Sequence, residues 1–174
     1  MVTVEDAREY LGAETDEDVP SVVQRMIDAA VLAMEGYAGR HFLDAEVVET
    51  VKAANGYSAY LWLSEPPREI LSSDPELPGY RIGGSRLVAE NGWFWGEYRI
   101  TFKAGYAAGE VPADLVQACL DQTAAIHARW KADKAGLSTM SSQTVDGWNQ
   151  TFLERTGLEL HVAQTVARYR PGRL

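Results

Sequence analysis

The chain is poor in the residues that make reactive sites. Its 174 residues include one cysteine, Cys119, which excludes an intrachain disulfide and any multi-cysteine zinc site. Three histidines, His41, His127 and His161, fall in separate segments, with no second histidine or carboxylate at metal-ligand spacing. There is no HExxH, no C-x-x-C, no phosphate-loop glycine pattern and no G-x-S-x-G. The glycine-rich run IGGS at 82–85 lacks the lysine and the following helix that phosphate cradling needs. Acid pairs such as Glu65 and Glu69 are compatible with acid–base chemistry, but carboxylates this abundant carry almost no specificity. No catalytic residue, cofactor or metal is expected, and the chain reads as a non-enzyme.

Long apolar runs are also missing. None approaches the roughly 20 residues of a membrane span, and Met1 is followed by acidic residues rather than a basic segment and an apolar core. The expectation is a protein made and used in the cytoplasm, with no membrane partner. Basic residues are scarce in the first third. Residues 1–50 hold twelve acids against Arg8, Arg25 and Arg40, which equals the whole net charge of −9. The remainder carries thirteen acids and thirteen bases. A nucleic-acid binder needs clustered cations to displace counterions from phosphates, and this chain lacks them. The acidic third reads either as a solvated face that aids solubility or as a surface that discourages passing DNA from sticking.

What is present is ordered helix, sheet, helix. Thr3 caps a short helix through Leu11, ended by Gly12. An acidic linker, Ala13 to Asp18, leads to a second helix entered at Val19-Pro20. There Val23, Met26, Ile27, Ala30, Val31, Met34 and Tyr37 recur at helical spacing. Gly36 and Gly39 loosen and stop it. Val47, Glu49 and Val51 then alternate with Glu46, Val48 and Thr50 as a strand of either facing. Asn55-Gly56 is the strongest hairpin signal, with Tyr57 to Leu63 as the return strand. Pro66-Pro67 breaks the pairing, and Ile70-Leu71, Tyr80–Ile82, Arg86–Ala89 and Phe94–Phe102 read as further strands. Trp62, Trp93 and Trp95 lie in or beside this sheet. Core and edge packing is preferred for them over an aromatic carbohydrate site.

The stretch from Tyr98 to Trp130 organises the rest. A strand in which Tyr98, Ile100 and Phe102 alternate with Arg99, Thr101 and Lys103 turns through Ala104-Gly105-Tyr106. Pro112 and Asp114 then open a long helix, the proline where its missing N–H costs nothing and the carboxylate where it complements the dipole. Leu115, Cys119, Gln122, Ile126 and Trp130 form one stripe, and Val116, Leu120, Thr123, His127 and Trp130 a second. So wide a face implies cover on more than one side. Cys119 reads as a small buried hydrophobe and His127 as a satisfied structural residue. Gly136 to Gln150 is small, polar and aperiodic, a mobile loop. Thr156-Gly-Leu-Glu159 reads as a capping box for a closing helix. Its stripe is Leu158, Val162, Val166 and Tyr169, and Arg168, Arg170 and Arg173 make the one locally basic stretch.

The order of strand, Ala-Gly-Tyr turn, Pro-Ala-Asp and long helix resembles the head–tail connector proteins of long-tailed bacteriophages, also called adaptor or head-completion proteins. Met26-Ile-Asp-Ala-Ala with Glu35-Gly-Tyr-Ala-Gly-Arg-His-Phe42 resembles that family's first long helix and its exit, and the closing helix ends in Tyr169-Arg170-Pro171. The sheet is larger than in many members of that family. The expected fold is α+β, three to four helices with an antiparallel sheet inserted between the second helix and the long central one. It is laid out as a single domain over 1–174: helices 1–42, β-rich insertion 43–103, central helix 112–134, mobile loop 135–155, and closing helix and tail 156–174.

The resemblance implies a virion neck protein assembled in the host cytoplasm. It would form a ring, commonly twelve-fold, beneath the portal protein, extend the channel through which DNA passes without specific binding, and dock the next neck or tail protein. The alternatives are another neck component of tail-terminator or stopper type, a small carboxylate-dependent hydrolase, or a DNA-binding regulator that the charge balance disfavours. Val166, Arg168, Tyr169 and Arg170 are the candidate portal contact, on a closing helix read as a docking element rather than core. Trp130 and His127 are the candidate subunit interface, with Trp130 expected to reach outward.

Overall fold

The computed structural model describes residues 1–12, 20–134, 143–145, 148–150 and 157–171, the stretches within 143–150 by their backbone. The architecture is α+β and divides into two compact units, Met1–Ala38 with Pro112–Tyr169, and Gly39–Val111 with Arg170–Leu174.

The first unit is helical. In α1, Val4–Leu11, the Thr3 side chain accepts from the Asp6 N–H while the Asp6 carboxylate accepts from the Thr3 N–H. This reciprocal cap satisfies two of the orphan donors at a helix start and holds the Asp6 carboxyl below its usual value. Gly12, at φ 60°, ends the helix in the left-handed conformation. In α2, Pro20–Ala38, the spaced residues Val23, Met26, Ile27, Ala30, Val31 and Met34 are all buried. The long helix α3 is Ala113–Lys134 and the closing helix α4 is Leu160–Ala167. Helices α2, α3 and α4 pack against one another pairwise, and α1 packs on α2 and α3.

The second unit is antiparallel sheet. Its strands are β1, Ala45–Ser58; β2, Tyr60–Trp62; β3, Glu69–Asp74; β4, Tyr80–Ile82; β5, Arg86–Ala89; and β6, Phe94–Ala104. They form two three-stranded ladders in the orders β1-β6-β3 and β2-β5-β4. One core joins them, with Leu61 and Leu87 from the second ladder and Val51, Phe94, Ile100 and Phe102 from the first. The facing of β1 is settled by that core, against which Val47 and Val51 pack while Val48 lies outside.

Three local expectations differ from the structure. Asn55-Gly56 is not a hairpin turn. Both residues take positive φ, 54° and 83°, as the dipeptide favours, but β1 keeps its direction along β6. Ala53 to Gly56 bulge out between the pairs Lys52↔Glu97 and Tyr57↔Trp95, opposite Gly96, itself at φ 76°. Pairing with a long central strand outweighs the local turn preference. Within the loop expected over 136–150, β7, Gln143–Val145, pairs antiparallel with β8, Trp148–Gln150. The remaining parts, 135–142, 146–147 and 151–155, lie outside the described residues, as does the expected linker at 13–18. The closing helix starts at Leu160 rather than Thr156. Glu159 is its N-cap and makes no side-chain cap hydrogen bond, and Thr156 lies outside the described residues.

The turn after β6 is tight. Gly105 sits at φ +75°, and a Cβ added there would lie 2.0 Å from the Leu43 carbonyl oxygen and 2.6 Å from its carbon. The Tyr106 N–H donates to the Phe42 carbonyl at 3.1 Å beside it. Backbone therefore meets backbone where only glycine fits. Gly105→Ala is expected to destabilise the protein by at least about 3 kcal/mol, from strained φ and steric displacement together, read as the loss in denaturant midpoint at unchanged m-value.

Candidate functional site

No group of three or more His, Cys, Asp or Glu side chains is arranged to hold a metal among the described residues. The titratable groups the sequence singled out are tied up singly. His41 Nδ1 lies 2.7 Å from Glu65 Oε1, and the His41 N–H donates to Glu65 Oε2 at 2.7 Å, so one residue engages both oxygens of a carboxylate that is 4% exposed. Glu69 instead faces Lys103 at 3.9 Å. Asp44 pairs with Arg68. Asp121 is a hub in the helical unit. It accepts from Tyr10 Oη at 2.6 Å and Gln117 Nε2 at 2.8 Å, and its other oxygen lies 3.1 Å from His161 Nε2. That hydrogen bond lifts the Tyr10 phenol above its usual value. Burial pushes the Cys119 thiol up to about 11, where thiolate chemistry is suppressed at neutral pH. These contacts hold elements together; the two histidine–carboxylate pairs were not legible in the sequence, because each joins residues distant along the chain.

The candidate surfaces fare unequally. Val166 is wholly buried, and so are Leu158 and Val162 of the same stripe. The Tyr169 hydroxyl donates to Asp114 Oδ1 at 2.6 Å, which ties the end of α4 to the start of α3. Arg168 and Arg170 are exposed. The closing helix is thus core along its apolar stripe, against the expectation of a dispensable docking element. His127 is buried at 5%. Trp130 is half-buried, stacked on His127 at 5.9 Å between ring centroids, with Lys134 Nζ 4.0 Å from its own ring centre.

The polar residues of the α3 stripes are buried with partners. Gln122, 1% exposed, donates through Nε2 to the Gly157 carbonyl at 2.8 Å and accepts the Glu159 N–H through Oε1 at 3.1 Å. Thr123 Oγ1 donates to the Cys119 carbonyl at 2.7 Å. Glu159, 7% exposed, has its Oε1 buried with no hydrogen-bond partner among the described residues. Burial raises its pKa, and the charges of Arg129 and His161 only partly offset that.

The surface that pattern reading misplaced is on the sheet unit. Trp62, Trp93 and Trp95 are not packed into the core. They stand exposed, as do Tyr57 and Tyr60, in two separate clusters. Tyr57 meets Trp93 edge-to-face at 5.6 Å and Trp95 at 5.3 Å, and the Arg86 guanidinium lies over the Tyr60 and Trp62 rings at 4.9 and 5.4 Å. The available signal was strand parity, since Trp93 and Trp95 flank Phe94, and Tyr60 and Trp62 flank Leu61, the two inward residues.

No protein-family profile and no curated protein matches the chain. Solved structures do. A chain in the neck of an empty gene transfer agent particle, computed with C6 symmetry, superposes with a TM-score of 0.67 at 18% identity, over 99% of this chain and 91% of its own. A chain in the neck of the native particle, computed with C12 symmetry, gives 0.62 at 17% identity over 98% and 89%. A chain of the native gene transfer agent virion gives 0.60 at 17% identity over 99% and 91%. At such identities the likeness establishes a shared fold.

Two outcomes follow from the helical unit. Each of Leu158, Val162 and Val166 contributes about 2 kcal/mol by burial, a large share of a typical stability of about 5–15 kcal/mol. Truncation before Thr156 is therefore expected to abolish cooperative unfolding of the helices, followed by far-ultraviolet circular dichroism on heating. Glu159 has a folded pKa above its unfolded one, so its contribution is favourable at acid pH and is lost as pH rises through the folded value. Glu159→Gln is expected to leave the thermal midpoint nearly unchanged near about pH 4 and to raise it at neutral pH; a variant equally or less stable at neutral pH contradicts the assignment.

Proposed function

We propose that the chain is a structural component of the neck of a tailed phage, prophage or phage-like particle, an adaptor that assembles as a ring beneath the portal. The observation that carries this reading is the shared fold with neck chains over 98–99% of its length, coinciding with the resemblance to head–tail connectors at the glycine turn and the long central helix. Twelve copies is the proposed stoichiometry, in keeping with the C12 and C6 symmetries of those necks. The role is binding, not turnover: the ring lengthens the DNA channel and offers a platform to the next neck or tail protein.

The charge supports that role. The helical unit carries fifteen acids against seven bases, and the sheet unit ten against nine. A conduit must not hold its DNA, and binding to phosphates draws its strength from clustered cations. Arg168 and Arg170, exposed at the end of the closing helix, are the proposed portal contact, positioned by the buried Val166 and the Tyr169–Asp114 hydrogen bond. Trp130 is the proposed subunit contact on the helical unit. Its half-exposed ring, backed by His127 and covered by Lys134, is a rigid apolar anchor of the kind interfaces favour.

Electron microscopy of the purified chain with and without its cognate portal tests the reading, and rings seated on portals are the expected result. Portals that stay bare at saturating chain would refute it. Trp130→Ala is expected to lower portal incorporation about tenfold or more, with a smaller effect on folding. A loss of about 3–5 kcal/mol in stability with incorporation intact at low temperature would instead place Trp130 in the core.

A further inference from the structure

We infer that α1 is a strap that lifts off the helical unit and returns while α2, α3 and α4 stay folded, and that Asp121 is its latch. Little apolar contact ties the helix down. Of its eight residues only Ala7 is buried, with Val2 just ahead of it, whereas α2 buries seven, Met26, Ile27 and Met34 among them. Val4, Arg8 and Leu11 are half-buried, and Glu5, Asp6, Glu9 and Tyr10 face water. Stabilisation by burial scales with the apolar area removed from water, so the core holds α1 weakly. Elements held in this way open at a lower free energy than the fold as a whole. Lifting α1 bares the surface of α2 and α3 on which it packs.

The remaining hold is polar. The Tyr10 hydroxyl donates to Asp121 Oδ1 at 2.6 Å and accepts from Gln117 Nε2 at 3.2 Å. A hydrogen bond to an ionised acceptor is roughly twice as strong as a neutral one. The acceptor is also preset. Gln117, one turn earlier on α3, donates to the same Oδ1 at 2.8 Å, and His161 Nε2 of α4 lies 3.1 Å from Oδ2. The carboxylate is therefore oriented from α3 and α4 independently of α1, and a returning phenol meets a formed site. Tyr10 is 47% exposed, so water has access to take its place.

Docking leaves one donor unpaired. Arg8 Nε is buried with no hydrogen-bond partner among the described residues. That disfavours the docked arrangement, and lifting α1 returns the group to water. A strap with little buried apolar area, one charged latch and an unpaired donor is poised between two arrangements. Once lifted, α1 does not persist as a helix, because its eight residues fall short of the roughly 12–15 at which isolated helices become marginal in water. Amide protection within α1 therefore reports docking.

The full chain supplies the test. In Ala7→Cys the new thiol occupies a position that is 1% exposed, and the native Cys119, fully buried in α3, is an internal reference that reacts only when the helical unit itself opens. Position 7 is expected to react with a thiol reagent about a hundredfold or more faster than Cys119. Tyr10→Phe, which deletes the donor and keeps the ring, should speed labelling at position 7 about tenfold and leave Cys119 and the thermal midpoint unchanged. A sulfur at a buried alanine can itself prop α1 away, so amide exchange of the unsubstituted chain is the second readout. The amides of Ala7 to Leu11 are expected to exchange at a rate independent of low denaturant, while those in the middle of α3 follow global unfolding. Exchange of α1 and α3 in one denaturant-dependent event overturns the strap. Fast exchange in α1 that Tyr10→Phe does not change overturns the latch.

Discussion

A buried amide holds the helical unit in register. Gln122 sits in the middle of α3 with almost no exposure, and both ends of its side chain are committed to the backbone that leads into α4. A primary amide in such a place is costly unless donor and acceptor are both used. Here they are used on Gly157 and Glu159, the turn that aims α4 back at α3. Leu158, between those two residues, is carried into the core by the same clamp. Apolar burial supplies most of the energy, but apolar contacts tolerate sliding. The paired amide does not, and it sets where the closing helix begins.

That explains what could and could not be read from the chain. The stripe positions on α3 were legible, including Gln122, Thr123 and His127, because helical spacing depends only on neighbours. That a polar residue in the stripe would be the clamp was not, since its partners lie 35 and 37 residues on. The start of α4 was misplaced for a related reason. Thr-x-x-Glu is a capping pattern, yet Glu159 became the cap itself once its N–H was taken by Gln122. Asn55-Gly56 shows the same contest in the sheet. The dipeptide adopts the backbone it prefers, and β6 still dictates the path of β1. The tryptophans were expected to pack in the core or at the sheet edge, whereas parity with Phe94 and Leu61 turns them to the outside.

The distribution of chemistry follows the same division. Several ionisable groups in the helical unit are spent on internal ties, such as Asp121 to Tyr10 and His161, or held by burial, such as Glu159. The clearest structural investment without an internal purpose is the aromatic surface of the sheet unit. The neck role proposed above calls for surfaces that recognise copies and neighbours.

The close approach of Gly105 to Leu43 has an evolutionary consequence. The strand that leaves the sheet unit does so against the residue at which the first strand comes in. Residues 44–104 are thus an excursion whose two ends already touch. The entropic cost of closing such an excursion rises only logarithmically with its length, by about 0.6 kcal/mol for each doubling. Strands can therefore accrete onto the sheet, or be shed from it, with almost no penalty at the seam. The size of the sheet becomes a freely inherited variable, while the glycine that lets the two backbones meet does not.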